Sequence, residues 1–166
     1  MKHIFLIFSL ICMFTQGQNI AYVDSRYILE NIPEFSAAQD ELNNLSLDWQ
    51  EEIDLLKEDV EKLYRLYQAE QYLLPDEKKK NREEIIISKE KEVKALTKKR
   101  FGPDGDLYKK QEELIQPIQD LIYTAINNFA DEAKYDIIFD KSSNLIMLFS
   151  DPELDKSQQI LEKLGY

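Results

Sequence analysis

Apolar residues recur at Leu42, Leu45, Trp49, Ile53, Leu56, Val60, Leu63 and Tyr67, in steps of three and four with one extra four between Trp49 and Ile53. That spacing keeps a single apolar stripe along an α-helix. A helix over Ser36–Leu73 would run ~57 Å at 1.5 Å per residue, far beyond the usual helix of about 11–12 residues. Such a length argues against a compact helical bundle. At Leu73-Leu74-Pro75-Asp76 the pattern breaks, because proline cannot continue a helix interior but starts a new helix well. The stripe resumes most clearly at Leu114, Ile118, Leu121, Ala125 and Phe129. Neither arm holds enough apolar residues for a globular core, so each needs the other arm or another chain. The stretch from 36 to 134 therefore reads as one long helical hairpin.

The N-terminus has the pattern of a cleaved secretory signal. Lys2 and His3 give a short positive region, Ile4 to Phe14 is almost wholly apolar, and Thr15-Gln16-Gly17 ends in a small residue, placing cleavage after Gly17. The apolar run is too short to span a bilayer, where about 20 residues are needed. Cys12 does not mark a lipid attachment site, since Ile11 before it is not small. Removing 1–17 leaves 20 basic residues against 32 acidic, with no cysteine and no histidine. No disulfide, Cys–His or Ser–His pair, or imidazole metal site can then form, and no cofactor is expected. A pI near 4.6 disfavours a general nucleic-acid or anionic-membrane binder, since those partners need a positive face. We expect no nucleic-acid binding and at most peripheral membrane contact.

The rest of the chain, 18–166, reads as one domain, with 18–35 and 135–166 forming a small β body around the inserted arm. Asn19-Ile20-Ala21-Tyr22-Val23-Asp24 is a short strand. Asp24 or Ser25 can cap a short helix that Pro33 ends, and Ser36 caps the long arm. The two arms differ in sign: 36–75 carries three basic and ten acidic residues, 76–100 ten basic and six acidic. An antiparallel hairpin lays those charges side by side, and each exposed pair is worth about 0–1 kcal/mol, which suits partner selection better than stability. Gly102-Pro103-Asp104-Gly105 predicts a break near 102–105, with Asp104 capping a new helix from about Asp106 to Lys134. Pro117 should kink that helix or mark where it enters the body.

The period then changes. Tyr135, Ile137 and Phe139 form one apolar face of a strand; after a turn at 141–144, Leu145-Ile146-Met147-Leu148-Phe149 is apolar on both faces, as a central strand would be. Asp155 with Gln158 resembles a capping box opening a last helix that Gly165 closes. The fold class is thus α+β: a small β body built from N- and C-terminal strands, with a long antiparallel coiled-coil hairpin inserted. The carboxylate doublets Glu51-Glu52 and Glu83-Glu84 are not converging pairs, since neighbours on a helix diverge by about 100°. No catalytic residue is assigned, and the chain does not read as an enzyme.

The order of these elements resembles the Skp/OmpH family of periplasmic chaperones: a signal, then Ile20-Ala21-Tyr22-Val23-Asp24-Ser25, a charged helical hairpin, Tyr135-Asp136-Ile137-Ile138-Phe139-Asp140, and Asp151-Pro152-Glu153-Leu154-Asp155 leading to Leu164-Gly165. The resemblance implies a periplasmic homotrimer whose β body takes strands from three subunits, with arms around a cavity that holds unfolded outer-membrane proteins without ATP. Ile20, Tyr22, Val23, Ile137, Phe139, Ile146 and Leu148 are then the trimer body strands, whose open edges trimerisation would close. The family's best-known members are basic, with a patch proposed to meet lipopolysaccharide; this chain is acidic, so that patch is not carried over.

Within that reading, Leu55, Tyr64, Leu66, Tyr72, Leu73 and Leu74 place apolar surface off the main stripe near the arm's far end, and Ile85, Ile86 and Ile87 do so across the turn. Three consecutive isoleucines cannot share one helix face. Most of these side chains can simply pack the arms together; the surplus would be an adaptable lining for clients. The rival reading is a coiled-coil scaffold of the cell envelope.

Overall fold

The computed structural model describes residues 18–143 and 146–166. The signal segment at 1–17 lies outside them, as do Asn144 and Leu145. The elements in chain order are β1 (Ile20–Val23), α1 (Ser25–Glu30), α2 (Pro33–Glu70), α3 (Asp76–Phe101), α4 (Asp106–Ala133), β2 (Ile137–Asp140), a 3-10 turn (Pro152–Leu154) and α5 (Ser157–Leu164). Two compact units divide them. One joins the residues up to Ile32 with 119–166; the other is Pro33–Ile118. The fold is α+β, a two-stranded sheet from the two ends of the chain with a long helical hairpin between them in sequence.

In the first unit β1 and β2 pair in parallel, Ile20 opposite Ile137 through Val23 opposite Asp140. Parallel neighbours need a long crossover, and here the whole hairpin is that connection. On the other side of β1, Lys156 donates its N–H to the Tyr22 carbonyl at 2.9 Å. The Asp24 carboxylate caps α1 by accepting from Tyr27 N–H at 3.0 Å. Helix α1 packs on α5, and Ile28, Ile32, Ile160 and Leu161 are all buried with Ala21, Tyr22 and Val23. Gly165 closes α5 at φ 94°, where a side chain would be strained. Two clips fasten this body. Asp140 accepts from Ser25 N–H at 3.1 Å and Ser25 Oγ at 2.7 Å, and Lys163 pairs with Glu132 at 2.6 Å.

The second unit is the hairpin. Helices α2 and α3 run antiparallel, with Trp49 edge-on to Phe101 at 6.5 Å at one end and Arg82 paired with Glu70 at 3.4 Å near the other. Ile53 and Ile86 are buried between. Acidic Asp76 and Glu77 open α3, and Lys98, Lys99 and Arg100 close it, each sign matched to the helix dipole. Cross-arm ion pairs are outnumbered by pairs within one helix, such as Lys57–Asp54, Lys62–Asp59 and Lys89–Glu92. The opposite charges of the two arms therefore meet across them at few points, Arg82–Glu70 and Arg100–Glu52.

Several local expectations are corrected. Pro33 does not end α1; it begins α2, since a first helical position loses nothing with a missing N–H, and Ser36 lies inside the helix. The residue ahead of α4 is Gly105, not Asp104, and its carbonyl accepts from Lys109 N–H at 3.1 Å. Pro117, by contrast, lies inside α4 as expected, and the boundary between the units falls just beyond it. Asp155 precedes the last helix but bonds Ser157 N–H at 2.9 Å, two residues on, rather than forming a box with Gln158.

The largest correction is the third strand. Residues 146–149 form no strand, and Ile146, Leu148 and Phe149 are at least 85% exposed. A segment apolar on both faces needs a neighbour on each side, and within one chain β1 is already flanked by β2 and by the bridge to Asp155. Ile137 and Phe139, on the apolar face of β2, are exposed as well. Tyr135 alone of that face finds cover, stacked on Phe129 at 5.8 Å.

Candidate functional site

The hairpin's surface follows from helix geometry. One stripe of α2 and one of α3 face each other, and residues 100° to either side of them are left on two flanks. Ile85, Ile86 and Ile87 show the division. Ile86 is buried at 7% exposure, while Ile85 and Ile87 stand at 43% and 48% on opposite sides of it. Ile86 thus packs within the hairpin, as most of this set was expected to, and Ile85 and Ile87 are the surplus.

Two shallow grooves run beside the contact. One is lined by Glu52, Leu55, Leu56, Asp59, Glu92 and Leu96, an apolar floor with carboxylates around it. The other is lined by Lys57, Val60, Glu90, Val93 and Lys94. Leu55 and Leu66 are exposed on α2, and so is Tyr64. Helical spacing puts Leu66 eleven residues from Leu55, just over three turns, on the same flank; Tyr64 falls on the other.

At the turn between α2 and α3 the hairpin offers its most exposed apolar pair, Tyr72 and Leu73, at 88% and 85%; Leu74 is half-buried. The turn is held by backbone bonds from Gln71 N–H to Tyr67 and from Leu73 N–H to Glu70, both 2.8 Å. Just below it Tyr67 donates a short hydrogen bond to Glu83. That carboxylate holds the Tyr67 hydroxyl above its ordinary pKa. The tip is thus fixed at its root while its apolar side chains face solvent.

In the body, Ile20, Ile137 and Phe139 lie at the exposed side of the sheet and Ile146 and Leu148 are almost fully exposed, whereas Tyr22 and Val23 are buried. Sequence reasoning missed Phe149, at 86%, although it ends the same apolar run. It also missed Leu47, exposed at 68%, whose position off the 42–45–49 stripe was the available signal. Leu121 belongs to the sequence stripe yet is half exposed. Among the described residues no cluster could hold a metal ion, and no helix is long and apolar enough to cross a membrane.

A family model for OmpH-like outer membrane proteins matches residues 19–164. The chain belongs to the OmpH-like family. Its fold is also similar to the crystal structure of a proposed OmpH-like outer membrane chaperone from Caulobacter crescentus. That likeness has a TM-score of 0.70 over 92% of this chain and 90% of the other, at 10% identity. No curated protein matches the chain.

Proposed function

We propose that this OmpH-like chain is an ATP-independent holdase of the periplasm, which binds unfolded outer-membrane proteins between helical arms and keeps them from aggregating. The observation that carries the reading is the set of apolar side chains left exposed along the hairpin: Leu55, Leu66 and Ile85, Tyr64 and Ile87, and Tyr72 with Leu73 at the tip. A stable single hairpin has no use for them, whereas a chaperone needs many weak apolar contacts that no one client sequence must match. Tyrosine adds an apolar face with a polar end, suited to segments of mixed character. Membership of a family with a solved relative named as a proposed outer membrane chaperone supports the same role. The reading assigns no chemistry and no cofactor to the chain.

The working form is a homotrimer. Its support is the body's uncovered apolar surface, namely the 146–149 segment with Ile137 and Phe139, beside an outer β2 edge that pairs with no strand among the described residues. Strands from neighbouring copies would cover that surface and satisfy the edge.

The test is direct. A urea-unfolded outer-membrane β-barrel is diluted into buffer and its light scattering followed. The wild-type chain should suppress scattering near one trimer per client, and the triple variant Leu55→Ser, Tyr72→Ser, Leu73→Ser should need several-fold more protein. A wild type that leaves scattering unchanged overturns the holdase reading in favour of an envelope scaffold. Mass measurement in solution decides the assembly: a monomer at micromolar concentration overturns the trimer.

A further inference from the structure

The corner between α3 and α4 is built around one side chain. Arg100, in the last turn of α3, donates through Nη1 to Asp106 at 2.7 Å and through Nη2 to Glu52 at 3.1 Å. Its guanidinium also lies over the Trp49 ring, 4.8 Å from the centroid. Glu52 and Trp49 belong to α2 and Asp106 to the first turn of α4, so three helices meet on one planar cation. The side chain is only 21% exposed, and its buried Nε has no hydrogen-bond partner.

The backbone beneath is equally tight. Gly102 N–H donates to the Lys98 carbonyl and Gly105 N–H to the Gly102 carbonyl, both at 2.9 Å. A Cβ at Gly102 would come within 2.3 Å of the Lys98 carbonyl oxygen, and one at Gly105 within 2.8 Å of that of Arg100. An ordinary surface ion pair has one partner, bends to solvent and contributes little. Here a fork-shaped donor takes two carboxylates from different helices while its face stacks on an indole, an arrangement that a lysine ammonium cannot reproduce.

We propose that Arg100 is a latch: it fastens the α3–α4 corner to α2, so the break at 102–105 is a fixed joint that opens only when both carboxylates and the indole are released together. The arm is therefore stiff at this corner in its resting form, and the corner becomes a swivel when the latch is undone. A glycine pair flanking proline would, without Arg100, be the weakest point of the hairpin.

The test is amide hydrogen exchange on the full-length protein without its signal, comparing wild type, Arg100→Lys and Arg100→Gln. In Arg100→Gln the amides of Gly102, Gly105 and Lys109 should exchange about tenfold faster or more, while those of Leu63 and Ile86, far along the hairpin, stay within about twofold. Arg100→Lys should fall between, since it keeps the charge but loses the fork. Fluorescence of Trp49, the single tryptophan, should change in both variants. Unchanged exchange at Gly102 and Gly105 in Arg100→Gln would overturn the latch. So would equal loss of protection along all of α2 and α3, which would make Arg100 a general packing residue.

Discussion

The body and the hairpin are stabilised in opposite ways. In the body a few side chains are completely enclosed, Ile28 and Ile160 at 0% exposure and Val23 at 2%, and the chain's ends are bound by strand pairing. The hairpin spreads its apolar contact over long helices, so most of its residues remain partly wet; of its apolar side chains Ala38, Ile53, Ile86 and Ile115 are buried, and Ile53, at 1%, is the one enclosed as fully as those of the body. Deleting a methyl group therefore has a local meaning in one unit and a diluted one in the other. The body is where enclosed side chains are most concentrated. The hairpin is where surface can vary, which is what a binding surface for dissimilar partners requires.

The sharpest way to break that contrast is to hollow the body. Ile28→Ala removes a fully enclosed side chain that sits where α1 packs on α5, and should cost about 2–5 kcal/mol. Urea unfolding followed by circular dichroism measures it. A loss below about 1 kcal/mol would mean the body is loosely packed, and the distinction between the units would fail.

The fold was legible because its two periods are strong. The stripe from Leu42 to Tyr67 and the β-branched run at Ile20–Val23 each point to one local structure, and both are found. Pro75 and the glycines at 102 and 105 likewise marked the helix ends. The central-strand reading of 145–149 failed for a physical reason. Apolar on both faces states what a segment needs, not that its own chain supplies it, and here the single chain does not. The exposed residues were only partly legible. Ile85 to Ile87 had to diverge, but which of the three is buried depends on the phase at which α3 meets α2. The Arg100 cluster was invisible, since Trp49 and Glu52 reach it only through the antiparallel register of α2 and α3, and Asp106 only through the turn at 102–105.

A second test concerns the polar clip in the body. Burial pushes the Asp140 carboxyl up, but hydrogen bonds from Ser25 and Ser142 outweigh it and hold the group below the ordinary carboxylate pKa. Because the folded value is depressed, the stabilisation is fully present above the unfolded pKa of about 3.9 and is lost as pH falls through the folded value. The melting temperature of Asp140→Asn should lie below that of wild type at pH 7, and the gap should narrow below about pH 4. A gap that is constant down to pH 2 would show that the carboxylate charge does not contribute.

Lys134 offers a gain instead of a loss. It follows α4 at φ 58°, a left-handed conformation that costs a residue with a Cβ about 1–2 kcal/mol. Lys134→Gly should therefore stabilise the body by about 1 kcal/mol, offset in part by the greater freedom glycine has when unfolded. Thermal melts decide it, and a destabilised variant would mean that the lysine side chain makes contacts worth more than the strain.

The smallest effect should come from the hairpin's outer surface. Leu55, Tyr72 and Leu73 are 57%, 88% and 85% exposed, so serine at all three removes little buried area. Surface changes of this kind usually stay within ±0.5 kcal/mol each. The melting temperature should hardly move while client retention falls, and that separation is what assigns these side chains to binding. If instead the triple variant melts like a core mutant, its leucines and tyrosine are already covered in the assembled protein. The hairpin surface would then be an interface between copies, and the contrast with the body would be one of partner rather than of purpose.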